Sequence, residues 1–367
     1  MAPFALNLEK TRTDAVHVAL EPALNTFGSA LLIAKDEWEP GIHEWVQNVR
    51  SQMSAEELGR HKLVLIGFFY AVLPSQSWNS FPAYLAELEQ RPPSVFREML
   101  LDSYAKIYKE NCTLEQKAAP VDWEEILASP AEYVTFLKSR FGEEHVDEEI
   151  ETRAYDYVLN PAAMKQLIVE HMRWLWKNHL KSEWTRVQPM LEESVRAFKK
   201  VDLSDMTRLE AMRFITGQDL EDTKWAELIE KAKTITFVPN AHIGPYIHKS
   251  CVEDSCYVYF GARMPEGSDV RIPELDRTEI VARLSALADD TRLRILQMIA
   301  ERREMRAQDI IDEIGLSQPS VSRYLSQLTA SGYLQERRAN GAKAYTLNRE
   351  RIEKTLKAVS AFLLDHI

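Results

Sequence analysis

Gly315-Leu316-Ser317-Gln318-Pro319-Ser320-Val321-Ser322-Arg323-Tyr324-Leu325-Ser326-Gln327-Leu328 decides how this chain is read. Ser317 is a good N-cap, and Pro319 stands in the first turn, where a missing N–H costs nothing. Val321, Leu325 and Leu328 recur at i, i+4 and i+7, which makes one apolar helical face. Gln318, Ser320, Ser322 and Arg323 fall on the other side, crowded at the start of the helix. A helix of this kind suits a DNA major groove, where Gln and Arg can read base edges and Ser can bind phosphate. Ahead of it, Ala307-Gln308-Asp309-Ile310-Ile311-Asp312-Glu313-Ile314 reads as a short amphipathic helix, and Gly315 supplies its C-terminal turn. The order helix, Gly-containing turn, capped helix predicts a helix-turn-helix.

Moving outward, Tyr333-Leu334-Gln335-Glu336-Arg337-Arg338 and Ala342-Lys343-Ala344-Tyr345-Thr346-Leu347 flank Asn340-Gly341, a strong hairpin signal. A basic hairpin directly after a helix-turn-helix is a wing. With these residues in place, Leu284 to Leu347 resembles the winged-helix domain of ArsR-family transcriptional regulators. The matching runs are Leu287-Ala288-Asp289-Asp290-Thr291-Arg292-Leu293-Arg294-Ile295-Leu296, then Leu316 to Leu325, then Ser331-Gly332-Tyr333-Leu334. The resemblance implies a double-stranded DNA operator as partner. Ser317, Gln318, Ser320, Ser322, Arg323 and Tyr324 of the recognition helix, with Arg337, Arg338 and Lys343 of the wing, are then the DNA-contacting residues. It also implies homodimerisation through flanking helices. Ile352, Leu356, Val359 and Leu363, with Phe362 adjacent, form an apolar stripe on the last helix that fits this role.

Metal-sensing members carry a thiolate pair in the helix before the turn, and here the matching stretch is Glu304-Met305-Arg306-Ala307-Gln308-Asp309-Ile310. Arg306 and Gln308 occupy the cysteine positions, and a guanidinium is no soft anionic ligand. The family's metal site is therefore expected to be absent. A second grouping, His242, His248, Cys251 and Cys256, offers zinc-ligand types, but its spacing matches no compact pattern. Cys256 also falls in an apolar run, where a buried thiol is ordinary. No metal ligand and no cofactor is assigned.

The formal charge of −11 argues against DNA binding only if averaged over the chain. From Asp276 onward fifteen Lys and Arg face thirteen Asp and Glu, so the total splits into −13 before that point and +2 after it. Positive charge collects where phosphate contacts are needed. The expected organisation is an acidic, mainly helical module over residues 1–263 with a small sheet, a linker over 264–276, and a winged helix-turn-helix domain over 277–367. In the first part, proline-started helices run to about Lys231, and Pro161 to Lys200 reads as one long helix with a break near Pro189. Thr234 to Val238, Cys256 to Phe260 and the segment near Val16 are expected to share the sheet.

Three cysteines are too few for a disulfide framework, no leader pattern opens the chain, and the apolar run Leu63 to Leu73 is too short to span a bilayer. A cytoplasmic protein without membrane contact is expected. Gly-rich phosphate loops, Gly-x-Ser-x-Gly elbows and His-Glu-x-x-His helices do not occur, so the reading is a regulator and not an enzyme. Two aromatic-rich segments, with Phe69 and Trp78 in one and His171, Trp174 and His179 in the other, are candidates to bind a small apolar effector; packing alone is the other reading. The expected function is repression by operator occlusion, with operator affinity set by that effector. An enzyme fused to a DNA-binding domain, or an interaction module recruiting a partner protein, are the alternatives.

Overall fold

In the computed structural model, the described residues are 16–35, 41–107, 121–218, 224–252, 255–265, 268, 273–339 and 342–364. Contacts divide the chain into two compact units, one of residues 21–36 and 45–186, the other of 1–20, 37–44 and 187–367. The expected 1–263 module is thus shared between them, and residues 187–263 belong with the winged helix. The fold is mainly α with two small sheets.

The first unit is helical: α1 (Pro22–Ala34), α2 (Glu44–Gln52), α3 (Ala55–Lys62), α4 (Phe69–Val72), α5 (Phe81–Gln90), α6 (Pro93–Lys106), α7 (Trp123–Ile126), α8 (Pro130–Phe141), α9 (Glu148–Leu159) and α10 (Pro161–Leu175). Local chemistry sets many of the starts. Ser54, Ser80, Ser129, Asp147 and Asn160 each accept a first-turn N–H through a side-chain oxygen, and proline occupies the first turn of α5, α8 and α10. Two π turns interrupt the helices, Leu63–Gly67 and Trp176–Leu180. Gly67 lets the first pack tightly, because an added Cβ would stand 3.2 Å from the Ala154 Cβ and 3.3 Å from Ile150. From Pro161 the chain is helical through α11 (Lys181–Lys199), as expected, but the irregularity is the Trp176–Leu180 turn, and Pro189 lies inside α11.

The second unit holds a four-stranded sheet in the order β1-β2-β4-β3, made of β1 (Val16–Val18), β2 (Thr234–Asn240), β3 (His248–Val252) and β4 (Ser255–Gly261). β1 and β4 run parallel to β2, with Val16 opposite Ile235 and Ile235 opposite Cys256, while β3 pairs antiparallel to β4. The three expected segments share this sheet, and β3 adds an edge strand. Cys251 and Cys256 face each other across β3 and β4 and are joined by a disulfide. Cys256 is therefore not the free thiol of the sequence reading, and neither sulfur is available to a metal. Val195, Phe198, Met212, Ile215, Ile235, Phe237, Val258 and Phe260 form the core under the sheet, with α12 (Arg208–Thr216) and α13 (Lys224–Lys231) contributing.

The winged helix follows: α14 (Pro273–Leu287), α15 (Asp290–Arg302), β5 (Glu304–Arg306), α16 (Ala307–Ile314), α17 (Gln318–Ala330), β6 (Leu334–Ala339), β7 (Ala342–Leu347) and α18 (Arg349–Leu364). α14 starts inside the stretch expected to be linker. The sheet order is β5-β7-β6, all antiparallel. Ile295, Ile299, Met305, Ile310, Val321, Leu325, Leu328, Tyr333 and Tyr345 fill one core.

Candidate nucleic-acid interface

The recognition helix is α17, and its placement follows from its apolar face. Val321 and Leu328 are fully buried and Leu325 nearly so, which turns Ser317, Gln318, Ser322, Arg323 and Ser326 outward, where all are exposed. Gly315 ends α16 in the left-handed region at φ 73°, with its N–H donating to the Ile311 carbonyl, and an added Cβ would meet nothing within 4 Å. That conformation and not a close contact requires glycine there. One expectation fails in detail. Ser317 stands at the N-cap but makes no capping bond to a backbone N–H; its hydroxyl lies 2.9 Å from that of Ser320.

Arg292 holds this helix in place, and the sequence reading assigned it no role. Asp289 caps α15 by accepting from the Arg292 N–H at 2.9 Å. The guanidinium is buried and donates to the carbonyls of Ala286 at 2.6 Å and Ser285 at 2.8 Å, and to Gln327 Oε1 at 2.8 Å. One side chain therefore joins the end of α14 to the inner face of α17. Its guanidinium carbon also lies 5.9 Å from the Tyr324 ring centre, so Tyr324 is half-buried and braced from behind.

β6 and β7 form the expected wing, with Arg338 opposite Lys343; the Asn340-Gly341 turn lies outside the described residues. Glu304 pairs with Arg337, whose Nε donates to Oε2 at 2.6 Å. Lys343 pairs with Glu336 at 2.9 Å, and Glu336 also accepts from the Tyr345 hydroxyl at 3.2 Å. Burial, together with Glu336, pushes the Tyr345 phenol well above its ordinary value. Arg337 and Lys343 remain exposed, while the Arg338 side chain lies outside the described ones.

On α18, Leu356 is 60% and Leu363 62% exposed, while Thr355 is buried and Ile352 packs onto the winged-helix core. Val359 and Phe362 are half-buried. α14 packs against α18 and adds Val281 and Leu284 to the exposed apolar side chains.

In the helical unit the structure brings His171, Trp174 and His179 together, with ring centres 5.6 Å and 5.2 Å apart along that series. Phe69 packs instead on Phe27 and Tyr70, and Trp78 on Tyr84. The His171 Nε2 is 2.9 Å from His61 Nδ1, and His61 Nε2 is 2.9 Å from the Ala30 carbonyl. A carbonyl only accepts, so His61 carries its proton on Nε2 and receives the His171 Nε2–H at Nδ1. Burial drives both imidazoles toward the neutral form, His61 down to about 4 and His171 lower still. Among the described residues no group of three or more His, Cys, Asp or Glu is arranged to hold a metal ion, and no helix is long and apolar enough to cross a membrane.

Residues 289–336 match the model of the bacterial regulatory protein, arsR family. The chain is 41% identical over 64 residues to the arsenic resistance transcriptional regulator ArsR1 of Pseudomonas putida, covering 17% of this chain and 50% of that protein. Against ArsR2 of the same organism it is 34% identical over 88 residues, 22% of this chain and 76% of that one. The solved structure of NolR from Sinorhizobium fredii is 31% identical and matches 25% of this chain and 93% of its own, with a TM-score of 0.21. The chain thus spans half the length of the first of these relatives. Because the match to ArsR2 is 34% identical and covers 76% of that protein, the chain belongs to the arsR family of bacterial regulatory proteins.

Proposed function

We propose that the protein is a sequence-specific DNA-binding repressor that acts as a homodimer and occludes its operator. The observation that carries this reading is the division of α17, whose apolar residues are buried while Gln318, Ser322 and Arg323 face solvent at its N-terminal end. Arg reaches guanine O6 and N7 bidentately, and Gln suits adenine. The exposed leucines of α18, with Val281 and Leu284 of α14, support pairing of two copies, which would set half-sites about one helical turn apart. Arsenic, named for the relatives, is not carried over, because Arg306 and Gln308 stand at the thiolate positions. An effector bound ahead of the winged helix would act by favouring one of two conformations that differ in operator affinity. For an apolar effector, the His171–Trp174–His179 cluster is the proposed contact.

The test is selection of duplexes from a random pool by the full chain, followed by anisotropy titrations of the selected sequence. Arg323→Ala is expected to weaken specific binding and to flatten discrimination at one base position by about 1–3 kcal/mol. Leu356→Glu is expected to give a folded monomer with poor operator binding. Failure to enrich any sequence, or an operator-bound wild type that sediments as a monomer, would reject the reading.

A further inference from the structure

One disulfide plays no part in the DNA-binding reading. Cys251 of β3 and Cys256 of β4 stand directly opposite in the antiparallel register and are bonded to each other. They are five positions apart in sequence, so the closed loop is short and the cross-link restrains little of the unfolded chain. β3 is the outer strand of its sheet, and its ladder runs from His248 opposite Tyr259 to Val252 opposite Ser255. That backbone pairing holds β3 in place with the sulfurs joined or apart. A bond that adds so little to the fold is poorly explained as a structural staple.

The two sulfurs differ in access. Cys256 is 5% exposed and belongs to the core under the sheet, with Val258 and Phe260. Cys251, on the outer strand, is exposed. Residues two apart on a strand share a face, so Lys249 stands on the same face as Cys251, with its Nζ 5.7 Å from the Trp225 ring centre. A cation on that face favours the thiolate that exchange requires. A bonded pair with one buried and one open sulfur is entered from one side only, at Cys251. A protein that binds DNA also works among reducing thiols, where disulfides are usually transient and redox-sensing or catalytic.

We infer that Cys251 and Cys256 are a redox-active pair that exchanges with low-molecular-weight thiols and their disulfides, entered at Cys251. In reduction, a small thiolate attacks Cys251 Sγ, the bond between the cysteines breaks, and Cys256 leaves as a thiolate. A second small thiolate attacks the small-molecule sulfur of the mixed disulfide, which releases Cys251 and forms the small disulfide. Two electrons pass to the protein, and each cysteine takes up one proton. Oxidation is the reverse, with Cys256 as the resolving thiol. The far end of β4, at Gly261, lines one small cavity together with Ala282 of α14, so the strand that carries Cys256 reaches the winged helix. As an exchange site the pair stands on its own geometry; control of operator affinity by it rests on the regulator reading above.

The test equilibrates the full chain, as the Cys112→Ser variant that keeps only these two cysteines, with reduced and oxidised glutathione at varied ratio. Acid quenching, alkylation and intact mass then count free thiols in the folded protein. Both thiols are expected to disappear together as oxidised glutathione rises, in one two-electron transition. Peptide mapping of the wild type follows the same pair without the substitution. A pair that stays joined in excess reduced glutathione until denaturant is added is a staple and overturns the site, as does a pair that never joins. Single variants test the direction of entry. Cys256→Ser should hold one glutathione adduct on Cys251, and Cys251→Ser should form its adduct about 10-fold more slowly, because exchange follows access to the sulfur. Equal rates in the two folded variants overturn entry at Cys251. Operator affinity of the reduced and oxidised chains should differ by a factor of about 5–150. Equal affinities overturn the regulatory role, whereas no operator binding by either form overturns the regulator reading and leaves the exchange site standing on the thiol counts.

Discussion

The two units differ in the polar groups they bury and in what satisfies them. In the helical unit they are neutral or matched by an opposite charge. His61 and His171 share one proton chain, burial with Asp147 pushes the Glu151 carboxyl up to about 8, and the buried guanidinium of Arg91 is held by both Glu87 oxygens at 2.7 and 2.9 Å. In the unit that contains the winged helix, two buried guanidiniums donate to neutral acceptors. Arg208 donates to the Ile229 and Ala232 carbonyls, and Arg292 to two carbonyls and Gln327. Titratable groups that burial holds neutral make stability depend on pH, whereas guanidiniums stay charged near neutrality. The comparison thus separates a pH-responsive region from one whose integrity hangs on single arginines.

The largest expected effect comes from breaking one of those arginines. Arg292→Ala strands two carbonyls and an amide oxygen at the junction of α14 and α17, and should cost about 3–5 kcal/mol. Six of the eight tryptophans, Trp45, Trp78, Trp123, Trp174, Trp176 and Trp184, belong to the helical unit. In denaturant titrations, the circular-dichroism transition should therefore move while tryptophan emission changes little, with operator binding lost. Equal shifts in both signals would merge the two regions into one cooperative unit and break the comparison.

Next in size is the response to acid. In the unfolded chain both imidazoles take up protons below about 6.5, but in the fold they stay neutral, so their contribution is full above that value and is lost as pH falls toward 4. Between pH 7 and pH 5 the pair should lose about 4 kcal/mol, near 2 for each imidazole. Glu151 works the other way: its raised carboxyl stabilises at low pH, and that contribution fades as pH rises through 8. It offsets about 2–3 kcal/mol of the loss. Glu151→Gln removes the offset, so its tryptophan-detected stability should drop more steeply with acid than wild type. Parallel pH profiles for the two proteins would refute the assignment of opposed groups.

How much of this was legible in the sequence depends on whether periodicity carried it. The face of α17 was readable because Val321, Leu325 and Leu328 sit at helical spacing behind a Ser and a Pro. β3 was not, since His248-Lys249-Ser250 has no apolar alternation, and an edge strand needs only a backbone partner, here β4. The Trp176–Leu180 π turn was invisible for a similar reason: Trp-Lys-Asn-His-Leu is helix-permissive, and packing decides where the extra residue goes. Arg292 was given no role from the sequence, because nothing local marks the Ser285 and Ala286 carbonyls that receive it.

The smallest expected effect is in the wing, where the charges of Arg337 and Lys343 are exposed and already paired. Arg337 and Lys343 are each 53% exposed at the side chain and hold Glu304 and Glu336. To reach phosphate, each must give up a carboxylate, and exposed pairs of this kind are worth about 0–1 kcal/mol. Arg337→Ala should therefore weaken DNA binding only slightly, since much of the phosphate attraction is spent replacing Glu304. Its salt slope should fall by less than the roughly 0.9 expected for one full phosphate contact. Glu304→Gln frees the same guanidinium and removes a negative charge near the DNA, so it should tighten binding and steepen the slope. Anisotropy titrations over a salt series measure both. Because Glu304 lies on β5 and not on α17, the gain should be equal for operator and random duplexes. A gain confined to the operator would mean that Arg337 reads sequence and does not merely hold the backbone.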